Sequence, residues 1–294
     1  MKNGNISRAA ALRVAALSAA FAFLAASSAS AQTSGQKTFS SSKEAVETFA
    51  KAVESANTTD LQAILGAGSE SIVSSGDSVA DNKERETFVA RYRVKHSLVE
   101  SGDHQFTLDV GADRWPLPIP LVDKSGTWYF DGAAGKEEIA YRRIGHNELS
   151  AIKVCQGIVA AQGDYAAAAH DGNPVGTYAA RIVSEPGKQN GLYWEDPSGQ
   201  SPSPAGPMLA QASQEGYDTS GKPTPYHGYY YRMLKNPGGF AFIAYPAQYR
   251  SSGVMTFVVT QSGTIHEKDL GANTDEVAAK IYDYHSDTTW KKVK

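Results

Sequence analysis

The spacing of apolar residues predicts that the chain, after a polar start, opens with helices. Val46, Phe49 and Val53 recur every three or four residues, which places them on one face of an amphipathic helix. A Ser-x-x-Glu capping box precedes this helix. Three helical segments are predicted in this way: one that opens at the capping box 41–44, a short one over 61–65, and one that opens at a second capping box, 81–84.

From residue 104 the apolar period changes to two, which is typical of strands. Three strands are predicted, over 106–110, 115–122 and 127–130. The middle strand contains Pro116, Pro118 and Pro120, which have no backbone N–H to donate to a neighbouring strand. We therefore expect this strand at the edge of an antiparallel sheet.

The second half of the chain also places a helix before a sheet. A long helix is predicted over 136–169, with Gly145 as a point where it can break. A proline-rich loop over 184–207 follows, and its apolar residues predict that it is ordered. Four strands and a helix complete the chain, over 226–234, 240–245, 253–260, 263–268 and 275–284.

This order of elements predicts an α+β fold in two domains. The first domain, 39–132, combines helices with an antiparallel sheet in a cone-like arrangement. The second, 133–294, packs a long helix on a second antiparallel sheet. Both halves therefore bury one face of a sheet under helices.

Residues 1–31 have the three consecutive segments of a secretory signal peptide. Basic residues precede an apolar run, 14–26, that is too short to span a bilayer, and small residues ending at Ala31 fit a cleavage site. Cleavage would leave a short leader, 32–38, that begins with Gln32 rather than a lipid-accepting cysteine. We expect a soluble protein in the periplasm or outside the cell, with no membrane span after cleavage.

Composition narrows the class of protein and its partners. The chain is 41% hydrophobic and 20% charged, which is typical of a globular protein. Without the signal peptide, the chain has 25 Lys and Arg and 31 Asp and Glu, and its basic residues form no continuous stripe. Nucleic acid is therefore not an expected partner. Cys155 is the single cysteine and cannot form an internal disulfide. Its apolar helical neighbours predict a buried, unreactive thiol.

Two local patterns resemble known folds. The opening pattern 42–52, the segment 60–65 and the strand end 126–130 make residues 38–132 similar to the cone-shaped domains of the nuclear-transport-factor-2-like class. The helix over 149–169 and the Tyr-rich sheet after it resemble the globular part of type IV pilin-like proteins. The apolar N-terminal stem of a pilin is missing, so this second resemblance does not imply a filament.

A resemblance over nearly the full chain is carried by six stretches. They are 73–77, 115–121, 142–145, 186–188, 191–194 and 225–232. Through them, residues 39–294 resemble a bacterial exported family catalogued as domain of unknown function number 2950. This family implies no reaction and no site residues. The turn over 234–239 is shorter than the loop that the resemblance leads us to expect there.

No stretch predicts a catalytic residue, a cofactor or a bound metal. Residues 40–43 read Ser-x-x-Lys, but the Ser-x-Asn at 55–57 lies at the other end of the same helix, so the two cannot converge in an acyl-transfer site. The alternating run 283–287 lacks the His and Cys pairs of zinc sites. Residues 171–173 lack the further acidic ligands of a calcium loop. An exposed polar surface explains the run 283–287 more simply, and a turn explains residues 171–173.

The Tyr-rich stretch is the first candidate for binding. Strict alternation places His227, Tyr229 and Tyr231 on one strand face. Rings with polar tips suit a half-buried sheet, and they also suit a surface that stacks sugars or peptides. Cross-strand packing and an exposed binding rim therefore both remain open.

A polar cluster around Arg142 and Arg143 is the second candidate. His146 and Glu148 follow closely, and all four residues lie at the expected junction of the two domains. Ion pairing within the cluster is the simpler explanation, and binding is the alternative.

These features favour a non-catalytic protein that binds a cell-envelope component or an envelope protein. The alternative is a small-molecule or cell-wall hydrolase that uses a His or a carboxylate pair in the cavity of the first domain. His96 is the candidate base, because it follows Tyr92 of the third predicted helix. A strongly shifted pKa in a closed pocket would favour the hydrolase.

Overall fold

The structure is a computed structural model that describes residues 35–196, 198–218, 224–285 and 287–293. The predicted signal peptide, 1–31, lies outside the described residues. Among the described residues, no helix is long and apolar enough to cross a membrane.

Four helices open the described chain: α1 (Ser42–Glu54), α2 (Thr58–Leu65), α3 (Glu70–Val73) and α4 (Ser78–Val94). The start of α1 is confirmed, because Ser41 Oγ accepts a hydrogen bond from the backbone N–H of Glu44. The sequence pattern does not predict α3, which is a single turn.

The predicted starts of α2 and α4 are wrong by about one turn. Asn57 caps α2 by accepting from the N–H of Asp60, so Asp60 lies inside the helix. Asp77 caps α4 in the same way. Asp81, the expected cap, lies inside the helix and accepts from the backbone N–H of Ser75. The carboxylate of Asp81 therefore holds the loop that leads into α4.

An antiparallel sheet follows the helices. Its strands are β1 (His96–Gly102), β2 (Gln105–Val110), β3 (Trp115–Pro116), β4 (Leu121–Lys124) and β5 (Thr127–Phe130). The order is β1-β2-β4-β5, and β3 also pairs with β2. Pro118 and Pro120 interrupt the predicted middle strand between β3 and β4. The edge position predicted for the whole strand is wrong for β4, because it pairs on both sides.

The first helices and this sheet share one apolar core. Val46, Phe49 and Val53 of α1 are buried as the pattern predicts. The Phe49 ring lies 4.8 Å from the ring of Phe130 in β5. Helix α1 therefore packs directly on β5.

Helix α5 (Gly132–Ala166) continues through Gly145 without the predicted break. Its first turns pack closely on the segment between β3 and β4: a Cβ placed on Gly135 would lie 2.8 Å from Ile119 Cγ1 and 2.9 Å from Pro118 O. Further along α5, Cys155 is buried as predicted, and burial raises the pKa of its thiol to about 12. The described residues fall into one compact unit, and the predicted domain boundary at 132 stays a prediction.

The described residues of the segment after α5 pack through buried apolar side chains, as the sequence predicts. Leu192 and Trp194 are buried, and the Trp194 indole N–H donates to Ser201 O at 2.8 Å. A short helix that the pattern did not predict, α6 (Gly206–Gln214), ends this segment.

The second sheet is antiparallel and has helices on both faces. Its strands are β6 (Tyr229–Leu234), β7 (Ala241–Pro246), β8 (Met255–Thr260), β9 (Ile265–Asp269) and β10 (Lys291–Lys292), in the order β10-β9-β8-β7-β6. One face packs on α5. The other packs on α7 (Thr274–Ala279), which is shorter than the predicted final helix. Helices and two antiparallel sheets confirm the α+β fold class.

Candidate functional site

A cavity of about 410 Å³ lies between the first helices, the segment after β3 and the start of α5. Its wall is made of side chains from α1 to α5. The lining residues are Phe49, Val53, Leu61, Leu65, Ile72, Val73, Asp81, Lys83, Glu84, Arg85, Thr87, Phe88, Arg91, Trp115, Leu117, Pro118, Ile119, Ile139, Arg142, Arg143 and His146.

The cavity has an apolar interior and a charged mouth. Phe49, Leu61 and Ile119 are buried members of the first core and form the inner wall. Lys83 and Arg142 also line the cavity, but they are exposed to solvent. Burial therefore falls from the apolar wall to the charged residues, which places the mouth beside α4 and α5.

Two arginines of the lining hold the end of α3. Arg143 donates to Ser71 O at 2.6 Å and to Ile72 O at 3.1 Å, and Arg85 donates to Val73 O at 3.1 Å. These carbonyls belong to α3 and have no partner within so short a helix. Within the described ranges, the Nε atoms of both arginines are buried and have no hydrogen-bond partner. Each guanidinium therefore keeps one buried donor unused.

Trp115 lies between two further arginines of the lining. The guanidinium carbons of Arg91 and Arg142 lie 5.9 Å and 5.5 Å from its ring centroid, within the range of cation–π attraction. Arg91 also pairs with Asp113 at 3.3 Å, and Arg142 with Glu138 at 2.6 Å. Both cations are thus partly balanced by carboxylates outside the cavity.

Two carboxylates also line the cavity. Asp81 is engaged with the Ser75 backbone, as described above. Glu84 is an exposed residue, but the protein packed around its carboxyl desolvates it and raises its pKa, while the charge of Arg143 opposes this shift.

The predicted polar cluster on α5 divides between two roles. Arg142, Arg143 and His146 line the cavity, so the structure brings these three together. Glu148 instead accepts backbone N–H bonds from two residues at the start of β8, both at 3.0 Å. Ion pairing does occur, but the carboxylate beside Arg142 belongs to Glu138, one turn earlier.

His96 does not line the cavity, which corrects its predicted position in it. Helix α4 ends two residues before it, and His96 begins β1. Its exposed ring stacks on the Tyr92 ring with centroids 4.0 Å apart, and its Nδ1 lies 3.0 Å from Tyr92 O. A base acting inside this cavity would have to be another residue.

Tyr229 and Tyr231 pack in the second core. Tyr229 is 0% exposed, and its hydroxyl donates to Met255 O at 2.9 Å. The Tyr231 ring stacks on Phe242 of the neighbouring strand, with centroids 5.8 Å apart. Of the two alternatives left open by the alternation, cross-strand packing describes both side chains. The other alternative, an exposed binding rim, does not describe Tyr229.

His227 lies outside this strand face, because the strand begins only at Tyr229 and His227 is in a turn with φ of +49°. Its Nε2 lies 3.2 Å from Glu215 Oε2. Beside this pair, the Tyr217 hydroxyl donates to Asp77 Oδ2 at 3.0 Å. Burial lowers the pKa of His227. These groups connect the start of α4 to α6 and to the turn before β6.

The polar runs of the sequence form surface and turns. In the described part of the chain, no three His, Cys, Asp or Glu side chains are placed to hold a metal ion. His285 lies 3.3 Å from Asp283 at an exposed position. Asp171 accepts from the N–H of Gln189 at 2.6 Å, which stabilises a turn.

Sequence reasoning missed the α4 part of the cavity. Asp81, Glu84, Phe88 and Arg91 recur at intervals of three and four, so they share one helix face, and all of them line the cavity. The residues 81–84 also fit a capping box, which predicts a helix start at this point instead of a helix face.

Comparisons with known proteins place the chain in one family. A family model described as "Protein of unknown function (DUF2950)" matches residues 36–238 and 236–293. The two matched segments meet in the turn between β6 and β7, the position at which the resemblance led us to expect a longer loop. No curated protein and no solved structure matches the chain. The pilin-like resemblance of the second half stays a prediction.

Proposed function

We propose a function for this chain, which belongs to the DUF2950 family of proteins of unknown function, from the cavity of its first half. The protein binds a component of the cell envelope in this cavity, without catalysis. It does so as an exported protein, in the periplasm or outside the cell. The observation that carries the proposal is the apolar cavity with a cationic mouth.

The size and lining of the cavity support a small ligand. A volume of about 410 Å³ falls in the range of small-molecule sites, roughly 300–1,000 Å³. Its inner wall is apolar and aromatic, and its polar lining residues come from α4 and α5. Such a wall binds an apolar group by removing it from water, and the polar end fixes its orientation. An envelope molecule with one apolar and one polar end fits this arrangement.

Binding of a neutral fluorescent probe, N-phenyl-1-naphthylamine, tests the proposal. We expect saturable fluorescence enhancement with the exported protein. Ile139→Trp places a large ring in the lining and should abolish the enhancement. The matched control is Tyr141→Trp on the same helix, where Tyr141 is 68% exposed and outside the lining. Equal probe binding by both variants would contradict the proposal.

Identification of the natural ligand completes this test. Protein purified from the periplasm without detergent is extracted with organic solvent, and the extract is analysed by mass spectrometry. We expect an envelope molecule with the wild-type protein and with Tyr141→Trp, and its loss with Ile139→Trp. The same molecules in all three extracts would show that they bind elsewhere.

One observation favours the alternative of a hydrolase. Asp81 and Glu84 bring two carboxyl groups to the same cavity, and they interact, since the charge of Asp81 contributes to the raised pKa of Glu84. If the protein is a hydrolase, Glu84→Gln should abolish hydrolysis of an acyl p-nitrophenyl ester. Glu86→Gln is the matched control, an exposed carboxyl on the same helix that does not line the cavity. Absence of hydrolysis in the wild type favours binding.

A further inference from the structure

The mouth of the cavity holds two guanidinium groups with unused capacity. Arg143 is only 8% exposed, and its two terminal nitrogens are engaged with carbonyls of α3. Arg85 binds the adjacent carbonyl of α3, so both cations lie at the same end of this helix. Each keeps a buried Nε–H that no group in the described residues accepts. A buried donor without an acceptor is unfavourable.

The charges of the lining do not balance. Five lining residues are cationic (Lys83, Arg85, Arg91, Arg142 and Arg143), whereas two are acidic (Asp81 and Glu84). Carboxylates outside the cavity pair with Arg91 and Arg142. For Arg85 and Arg143, no carboxylate of the described residues lies within 4.0 Å. With these two pairs set aside, Lys83, Arg85 and Arg143 face Asp81 and Glu84, so the lining keeps one positive charge in excess.

Glu84 does not remove this imbalance. Its carboxyl interacts with both arginines across more than the ion-pair distance. An anion from outside the chain would meet the guanidinium groups of Arg85 and Arg143 in a lining with one positive charge in excess. Guanidinium groups bind carboxylate and phosphate groups more strongly than neutral acceptors.

The apolar side of the cavity restricts what such an anion can carry. The cavity volume of about 410 Å³ lies at the lower end of the range of small-molecule sites, roughly 300–1,000 Å³. That is enough for one acyl chain of medium length.

We infer that the ligand of this cavity is a single-chain amphiphile with an anionic headgroup, held by Arg85 and Arg143 with its chain against the apolar wall. This inference rests on the proposed function, because it names the chemical class of the ligand in the same site. The headgroup is a carboxylate or a phosphate, and both share the oxygen acceptors that these arginines require.

Displacement of the neutral probe from the wild-type full-length mature protein tests the headgroup. The competitors are dodecanoate, dodecyl phosphate, dodecanol and dodecyltrimethylammonium, all below their micelle concentrations. We expect at least one of the two anions to bind about tenfold or more tightly than dodecanol, since a hydrogen bond to a charged group contributes that much. The preferred anion identifies a carboxylate or a phosphate source.

Variants assign this preference to the two arginines. Arg143→Gln and Arg85→Gln should each lose most of the preference for the anion and keep the affinity for dodecanol. Arg93→Gln is the matched control, because Arg93 lies on α4 with Arg85 but pairs with Glu54 outside the cavity. Retained probe binding shows that each variant is folded. Arg143→Gln also removes the hydrogen bonds of Arg143 to α3. If this variant unfolds for that reason, the Arg85→Gln variant and the order of competitor affinities for the wild-type protein still test the inference.

The outcomes separate this inference from the proposed function. If dodecanol displaces the probe as well as the anions do, the cavity binds apolar molecules and the anionic headgroup is wrong. Tighter binding of dodecyltrimethylammonium than of the two anions would also show that the anionic headgroup is wrong. If no competitor displaces the bound probe, the amphiphile is wrong while the cavity remains a site. If the probe does not bind, both proposals fail.

Discussion

Truncation of Tyr229 tests whether the Tyr-rich strand is core or binding surface. The side chain is fully buried, its ring packs 6.0 Å from Phe257, and its hydroxyl donates to Met255 O. Removing a buried aromatic ring costs about 3–5 kcal/mol. We therefore expect Tyr229→Ala to lower the free energy of unfolding by at least ~3 kcal/mol. For a chain of this size, that corresponds to a fall in Tm of about 6 °C or more.

The hydroxyl and the ring can be separated. Tyr229→Phe keeps the ring and should cost about 1–3 kcal/mol, because it leaves the buried Met255 carbonyl without its partner. Tyr141→Ala on exposed α5 surface should change stability by less than about 0.5 kcal/mol. Urea unfolding with an unchanged m-value measures all three variants. A cost below about 1 kcal/mol for Tyr229→Ala would refute the assignment of this ring to the core.

A coupling between Tyr229 and Gly253 gives an independent test of the same packing. A Cβ at Gly253 would lie 2.6 Å from the Tyr229 Cζ, so Gly253→Ala should be strongly destabilising in the wild type. In a Tyr229→Ala background the ring is absent, and the same substitution should cost much less. Additive costs in this double-mutant cycle would show that the two residues do not touch.

Three further predictions follow from burial, charge and packing. Cys155 should resist thiol reagents in the native protein and react on unfolding, since burial raises the pKa of its thiol to about 12; fast native labelling would contradict this. Because burial lowers the pKa of His227, stability should fall as pH drops through about 6.5, the value of an unfolded His, and His227→Asn should flatten that fall in urea midpoints measured from pH 8 to 5. Gly135→Ala should lower Tm, since its Cβ would meet Pro118 O at 2.9 Å, whereas Gly145→Ala, with open space around it, should raise stability by about 0.5–1 kcal/mol; equal effects would show that α5 does not pack closely there.

Local signals in the sequence predicted most of the fold, because they act over a few residues. The box at Ser41 starts α1, and the strands predicted over 240–245, 253–260 and 263–268 match β7, β8 and β9 to within a few residues. The start of α4 was wrong because Asp77 and Asp81 are both good caps. Asp77 also accepts hydrogen bonds from Tyr217 and Gly228, far along the chain, which local spacing cannot show.

The candidate site was predictable only in part for the same reason. Arg142 and Arg143 stand out in the sequence as a polar pair on a helix. The role of Arg143 depends on carbonyls of α3 that lie more than 70 residues earlier. His96 stood out as well, since it follows an aromatic residue, but one further turn of the chain puts it on β1 and outside the cavity. Separation along the sequence does not determine which residues line the same cavity.

The unbroken α5 has a consequence for how this protein can evolve. Four residues that line the cavity, Ile139, Arg142, Arg143 and His146, lie beyond the predicted boundary at 132. Later turns of the same helix supply the core of the second sheet. A gene fragment that ends at this boundary would thus encode a cavity without one wall, and recombination later in α5 would divide the second core. We expect the two halves to be inherited together, and the first matched family segment, 36–238, runs across the whole of α5.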